Sequence, residues 1–133
     1  MTTFADVLAG VQATVHAHAQ AQDEGRTEQL LALYCPDAVL EVPGQGRFAG
    51  TEAIRAAWDA WQPQLPQRHI STNIVLTEWS AQAARARTDV VLVQKGAAGW
   101  GIAMVARYHD EFRAVEGRWL LARRADEFIA MDH

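Results

Sequence analysis

Five histidines and sixteen carboxylates make up most of the chain's reactive side chains. A metal centre does not fit their spacing. His16 and His18 are two apart, and on a helix such residues point away from each other. His109 and His133 have no companion at ligand spacing, so no zinc or iron pattern is present and no metal is expected. A glycine-rich phosphate loop, a Gly-x-Ser-x-Gly elbow and a spaced Cys–His pair are all missing, so no cofactor is expected either. The single cysteine, Cys35, cannot form an internal disulfide and reads as a spectator thiol in the turn Tyr34-Cys35-Pro36-Asp37. What remains is proton transfer. A histidine has an unperturbed pKa of about 6.5, close to working pH. A carboxylate can orient an imidazole and balance its charge. A permanently charged arginine can steady a developing oxyanion.

Those groups need a scaffold, and the chain has two textures. Up to about Trp61 the pattern is mainly helical, and from about Arg68 it is mainly strand, which indicates α+β architecture. A first helix is expected over residues 4–24, with Phe4, Val7, Leu8, Val11 and Val15 at helical spacing and Gly25 as its stop. A second is expected over 27–34, capped by Thr27, buried through Leu30, Leu31 and Tyr34, and ended by Pro36. A strand over 38–42, a turn at Pro43-Gly44 and a return strand over 47–50 precede a third helix, capped by Thr51 and carrying Ile54, Trp58 and Trp61. Four long strands follow, over 68–79, 84–94, 100–113 and 118–129. Lys95-Gly96-Ala97-Ala98-Gly99 and Glu116-Gly117 are the clearest hairpin signals.

Strict alternation sorts the strand residues by face. His69, Ser71, Asn73, Val75 and Thr77 then share one side, opposite Ile70, Thr72, Ile74 and Leu76. In the third long strand Trp100, Ile102, Met104, Ala106, Tyr108 and Phe112 line one side. In the last, Leu120, Ala122, Arg124 and Asp126 face together, opposite Trp119, Leu121 and Arg123. Apolar residues on both faces of the first long strand suggest that a second copy covers the convex face, giving a homodimer.

Composition excludes several classes. Half the residues are hydrophobic and 21% are charged, which argues against disorder. A net charge of -4 with scattered basic residues offers no attraction to nucleic acid or an anionic membrane. The N-terminus has neither the basic start nor the apolar run of a secretion signal, and no stretch approaches the roughly 20 apolar residues of a membrane span. One domain over 1–133 and a cytoplasmic location are the expectations.

The segments Tyr34-Cys35-Pro36-Asp37-Ala38-Val39-Leu40-Glu41, Gly46-Arg47-Phe48-Ala49-Gly50, Arg68-His69-Ile70-Ser71-Thr72-Asn73 and Gly117-Arg118-Trp119 occur in an order that resembles the SnoaL-like branch of the NTF2-like superfamily. That resemblance implies a cone of three N-terminal helices packed on a curved, mainly antiparallel sheet enclosing one pocket. Within the superfamily it is closest to the hexachlorocyclohexane dehydrochlorinase and scytalone dehydratase group. It then implies Asp23 and His69 as a catalytic dyad, with Arg124 lining the pocket. His18 stands where the dehydrochlorinase has a pocket lysine, which departs from halide elimination.

On this reading His69 takes a proton, Asp23 orients it, and Arg124 steadies negative charge. His18, Tyr34, Trp58, Asn73, Met104 and Tyr108 are candidates to contact the small, largely apolar substrate. The function is then a cofactor-independent lyase or isomerase. A polyketide-cyclase-like enzyme would use the same parts. A non-catalytic binding or dimerisation module is the alternative, with Asp23 a solvated helix end and His69 an edge-strand histidine. An epoxide hydrolase needs a second aspartate bridged by arginine, for which Asp126 and Asp89 are the weaker candidates.

Overall fold

The computed structural model describes residues 1–131; His133, noted above for its lack of a companion ligand, lies outside them. Helix α1 spans Phe4–Asp23 and α2 Thr27–Leu31. Strands β1 (Tyr34–Val42) and β2 (Gly46–Ala49) precede α3 (Thr51–Ala60). Four long strands complete the chain: β3 (Gln67–Trp79), β4 (Ala83–Gly96), β5 (Gly99–Val115) and β6 (Arg118–Met131). They form one six-stranded sheet in the order β2-β1-β6-β5-β4-β3. Among the described residues only the β1–β6 pairing is parallel. Helices followed by a curved, mostly antiparallel sheet are the NTF2-like arrangement that the sequence implied. None of the described helices is long and apolar enough to cross a membrane.

The start of α1 is held by a capping box: Thr3 Oγ1 accepts from the Asp6 N–H, and the Asp6 carboxylate accepts from the Thr3 N–H. The helix buries Val7, Val11 and Val15 against the sheet, where they meet Leu40, Phe112, Leu121 and Trp119. Full burial of each such side chain contributes about 1.5–3 kcal/mol. Gly10 lets α1 approach closely, because a Cβ there would overlap the Trp119 ring. The α1 hydroxyl of Thr14 donates to the Trp119 carbonyl oxygen.

Four local expectations are corrected. Helix α2 ends at Leu31, and Tyr34 opens β1, because the Leu121 N–H donates to the Leu33 carbonyl and Tyr34 pairs with Leu121. A five-residue helix has too few internal bonds to resist that ladder. Pro36 therefore lies inside β1, where the register shifts between Tyr34 and Val39, an irregularity that suits a residue without an N–H. Thr27 and Thr51 do not cap. Arg26 and Gly50 occupy those positions without side-chain cap bonds, Gly50 at φ +86°. Thr27 Oγ1 accepts from Gln62 Nε2 instead.

Two β-bulges also break the assumed alternation. Asn73 adopts φ +51° where the β3–β4 register shifts between Thr72 and Val75. As a result Gln67, His69 and Ser71 point inward with Ile74 and Leu76, while Asn73 is exposed and Nδ2 donates to Asp89 Oδ2 at 3.0 Å. In β6 the register shifts at Ala122, where Phe112 pairs with Leu121 and Glu111 with Arg123. Trp119, Leu121, Arg124 and Asp126 thus share the concave side rather than opposing each other. Ile70, on the convex side of β3, is 50% exposed, so that face is not buried within one chain.

Gly10→Val should lower stability by about 1–3 kcal/mol through overpacking against Trp119, measured as a fall in the urea midpoint at constant slope.

Candidate active site

The last residue of α1 and the first turnless stretch of β3 meet at one carboxylate. Asp23 Oδ1 lies 2.6 Å from His69 Nδ1, and Oδ2 accepts from the His69 backbone N–H at 2.8 Å. Gln67 Nε2 donates to Oδ1 at 3.2 Å, and Gln94 Nε2 donates in turn to Gln67 Oε1 at 3.2 Å. The His69 and Asp23 side chains are only 4% and 3% exposed. An ionised carboxylate only accepts, so the imidazole proton belongs on Nδ1. Nε2 makes no hydrogen bond among the described residues, which leaves its lone pair available.

Helix geometry explains the aim. Gly25, at φ +67°, ends α1 directly after Asp23, and the edge strand β3 runs alongside the helix. The dyad opens onto a groove of about 810 Å³ between the end of α1 and β3, whose walls include Gln20, Arg68, Ser71 and Trp100. This is an open groove rather than the closed pocket expected, because His69 lies on the sheet's edge strand.

The other expected pocket residues are placed elsewhere. Arg124 is 2% exposed, and its Nε and Nη2 donate to Asp110 Oδ1 and Oδ2 at 2.8 and 3.0 Å. Its guanidinium carbon sits 3.9 Å above the Tyr108 ring, a cation–π contact. Nη1 donates to His18 Nδ1 at 3.3 Å. Because arginine only donates, His18 Nδ1 accepts and the His18 proton sits on Nε2, 2.6 Å from the Tyr34 hydroxyl. Burial, reinforced by the Arg124 charge, holds His18 well below its ordinary pKa, so it is neutral. Trp58 packs edge-on against His18 with ring centroids 5.4 Å apart. Met104 packs on a small second cluster of Val90, Ala106 and Tyr108. The structure therefore brings Asp23 to His69, and groups Arg124, His18, Tyr34, Trp58 and Tyr108 behind them. Asn73 joins neither.

Asp110 was missed by the sequence reading. The signal was present: Tyr108, Asp110 and Phe112 alternate inward on β5, opposite Arg124. Asp126 also faces inward, and burial, with Asp110 adding to it and Arg124 opposing, raises its pKa to about 7. Among the described residues no three His, Cys, Asp or Glu side chains group as metal ligands.

A SnoaL-like domain model matches residues 5–125. The chain belongs to the SnoaL-like domain family. Solved structures with this fold include a putative scytalone dehydratase from Novosphingobium aromaticivorans, 19% identical, covering 94% of this chain and 85% of that one at TM-score 0.83. A type 2 hexachlorocyclohexane dehydrochlorinase is also 19% identical, covering 98% and 92% at TM-score 0.82. A Catenulispora acidiphila protein in complex with S-DNPA is 25% identical, covering 93% and 94% at TM-score 0.83. No curated protein matches this SnoaL-like chain in sequence.

Arg124→Met should cost about 3–5 kcal/mol, because Asp110 is left buried and unpaired; adding Asp110→Leu should recover most of the loss in urea unfolding. Asp126 carries a second expectation. Its folded pKa is raised from 3.8 to about 7, so the native state binds the extra proton between those values. Its stabilising contribution is full below the lower value and is lost as pH rises through the upper one. Asp126→Asn should therefore gain Tm relative to the wild type as pH is raised from about 4 to about 8, by thermal unfolding at each pH.

Proposed function

We propose that this protein is a cofactor-independent lyase or isomerase that removes a proton from carbon. The observation that carries the reading is the 2.6 Å contact between Asp23 and His69. It sets the tautomer in which Nδ1 carries the proton and Nε2 holds a lone pair, in a residue that lines the groove. As His69 takes the proton, the imidazolium is stabilised by Asp23, which is itself held by the His69 N–H and Gln67. This is base-and-orienter logic without a nucleophile. The SnoaL-like family and its dehydratase and dehydrochlorinase neighbours support a lyase or isomerase over a hydrolase.

Arg124 enters this mechanism indirectly. Its charge is answered by Asp110, so it acts through His18 on the position of α1 rather than by contacting an oxyanion. An epoxide hydrolase built on Asp23 and Arg124 is disfavoured, since Arg124 bridges Asp110 and His18 instead.

A binding module is the second reading, favoured by the width of the groove and by the close packing of His18, Tyr34 and Trp58 behind it.

Deuterium exchange separates the two. Incubated in deuterated water with a panel of cyclic ketones, the wild type should wash deuterium into the carbon next to the carbonyl, followed by NMR. Asp23→Asn and His69→Gln should each slow this by about 10²–10⁴-fold while leaving the fold intact by circular dichroism. Binding of ketones without any exchange would establish the module instead.

A further inference from the structure

Along an antiparallel strand, successive residues turn their backbone groups to opposite edges. On β3 the Pro66 carbonyl accepts from the Lys95 N–H on the β4 side, while the His69 N–H turns outward to Asp23 on α1. Gln67, two residues before His69, therefore shows its carbonyl to the outer edge as well. Arg68 Nη1 donates to that carbonyl at 2.6 Å. Arg68 starts from the convex side, where it pairs with Val93. Its guanidinium is nevertheless folded back over the edge of β3, and it lines the groove beside His69.

This charge is uncommitted. Among the described residues Arg68 makes no ion pair, whereas both carboxylates that line the groove are engaged. Asp23 is held by His69, and Glu24 pairs with Arg26 at 2.9 Å. With Nη1 spent on Gln67, Nε and Nη2 form the guanidinium edge that matches the two oxygens of a carboxylate.

The same groove carries an apolar surface open to solvent. Trp100 on β5 is 57% exposed and Ile70 on β3 is 50% exposed, and Val93 on the strand between them also lines the groove. Large apolar side chains grouped in a concavity mark a contact surface for a ligand. From β3 to β5 is two strand spacings, about 10 Å, so the cation and the indole stand on opposite sides of a space suited to one or two rings.

We propose that the groove takes a cyclic carboxylic acid, with its ring on Trp100, Ile70 and Val93 and its carboxylate on Arg68. A ligand without charge would leave Arg68 unanswered. A phosphate monoester would bring nearly two negative charges to one free guanidinium. The proposal names the substrate class of the site at His69 and rests on that reading for turnover, but binding of the acid does not require it. For turnover the acid also carries a ketone, and the carbon beside that ketone supplies the proton.

Isothermal titration calorimetry with 1-tetralone-6-carboxylate and its primary amide tests the proposal, because the two share a shape and differ in charge. The wild type should bind the acid more tightly, and added salt should weaken the acid alone. Arg68→Gln should weaken the acid by about 3–30-fold and leave the amide unchanged, and Arg68→Lys should recover part of the loss. Trp100→Ala should weaken both probes. Equal affinities for acid and amide would overturn the proposal, as would no binding of either. So would an Arg68→Gln protein that holds the acid like the wild type, or a Trp100→Ala protein that holds both probes unchanged. Deuterium entering the carbon beside the ketone, followed by NMR, reports separately on the base. Arg68-dependent binding of the acid without exchange upholds the ligand class and defeats His69 as the base. Exchange into both probes at equal affinity keeps the base and overturns the ligand class.

Discussion

A guanidinium withdrawn from water must be answered on every side, because the effective desolvation cost is several kcal/mol per ion. Arg124 is answered by both carboxylate oxygens of Asp110, by the Tyr108 ring face and by a ring nitrogen of His18. Each contact belongs to a different part of the fold. Asp110 and Tyr108 pin β5 to β6 in one register, and His18 sets the roll of α1 about its axis. The other nitrogen of His18 reaches Tyr34 at the start of β1. One charge thereby coordinates a helix and three strands. Removing either partner leaves the other stranded, which is why the pair behaves as one unit.

The roll of α1 decides where its last residue points. His18 lies five positions before Asp23, so a helix rotated away from Arg124 would also turn Asp23 away from β3. With the roll fixed, Asp23 accepts from the His69 ring, the His69 backbone and Gln67. The imidazole is thus held in one orientation and one tautomer by contacts within the protein itself. The edge position of β3 has the complementary effect. It leaves His69 beside an open groove while the inner rows of the sheet stay packed.

Two solved structures share this fold at 19% identity, and a fold by itself does not decide chemistry. The SnoaL-like cone supplies a concave sheet and a covering helix. Reaction type then depends on which side chains the concave rows present. In this chain those rows carry two carboxylates, Asp110 and Asp126, in contrasting states. Asp110 is paired with Arg124, whereas Asp126 Oδ1 has no partner among the described residues and the carboxyl is raised toward neutrality by burial.

Much of the fold was legible in the sequence. Valines at helical spacing, the stop at Gly25 and the hairpin at Glu116-Gly117, both now seen at positive φ, are local signals with local causes. Asp23 and His69 were legible only through family resemblance, since nothing in their separation along the chain places them together. Alternation failed where bulges intervene, at Asn73 and Ala122. A bulge arises from how one strand fits its neighbour, so parity counted along a single strand cannot register it. Tyr34 sits at helical spacing in the sequence yet opens a strand, because its partner, Leu121, is remote along the chain. Asp110 passed unnoticed for a related reason: an isolated carboxylate between aromatics becomes an anchor only when Arg124 is folded against it. The chain's periodicities and turn residues determined its elements and their order. Tertiary contact alone decided which face each charge occupies, because burial and pairing are properties of neighbours that the sequence does not list side by side.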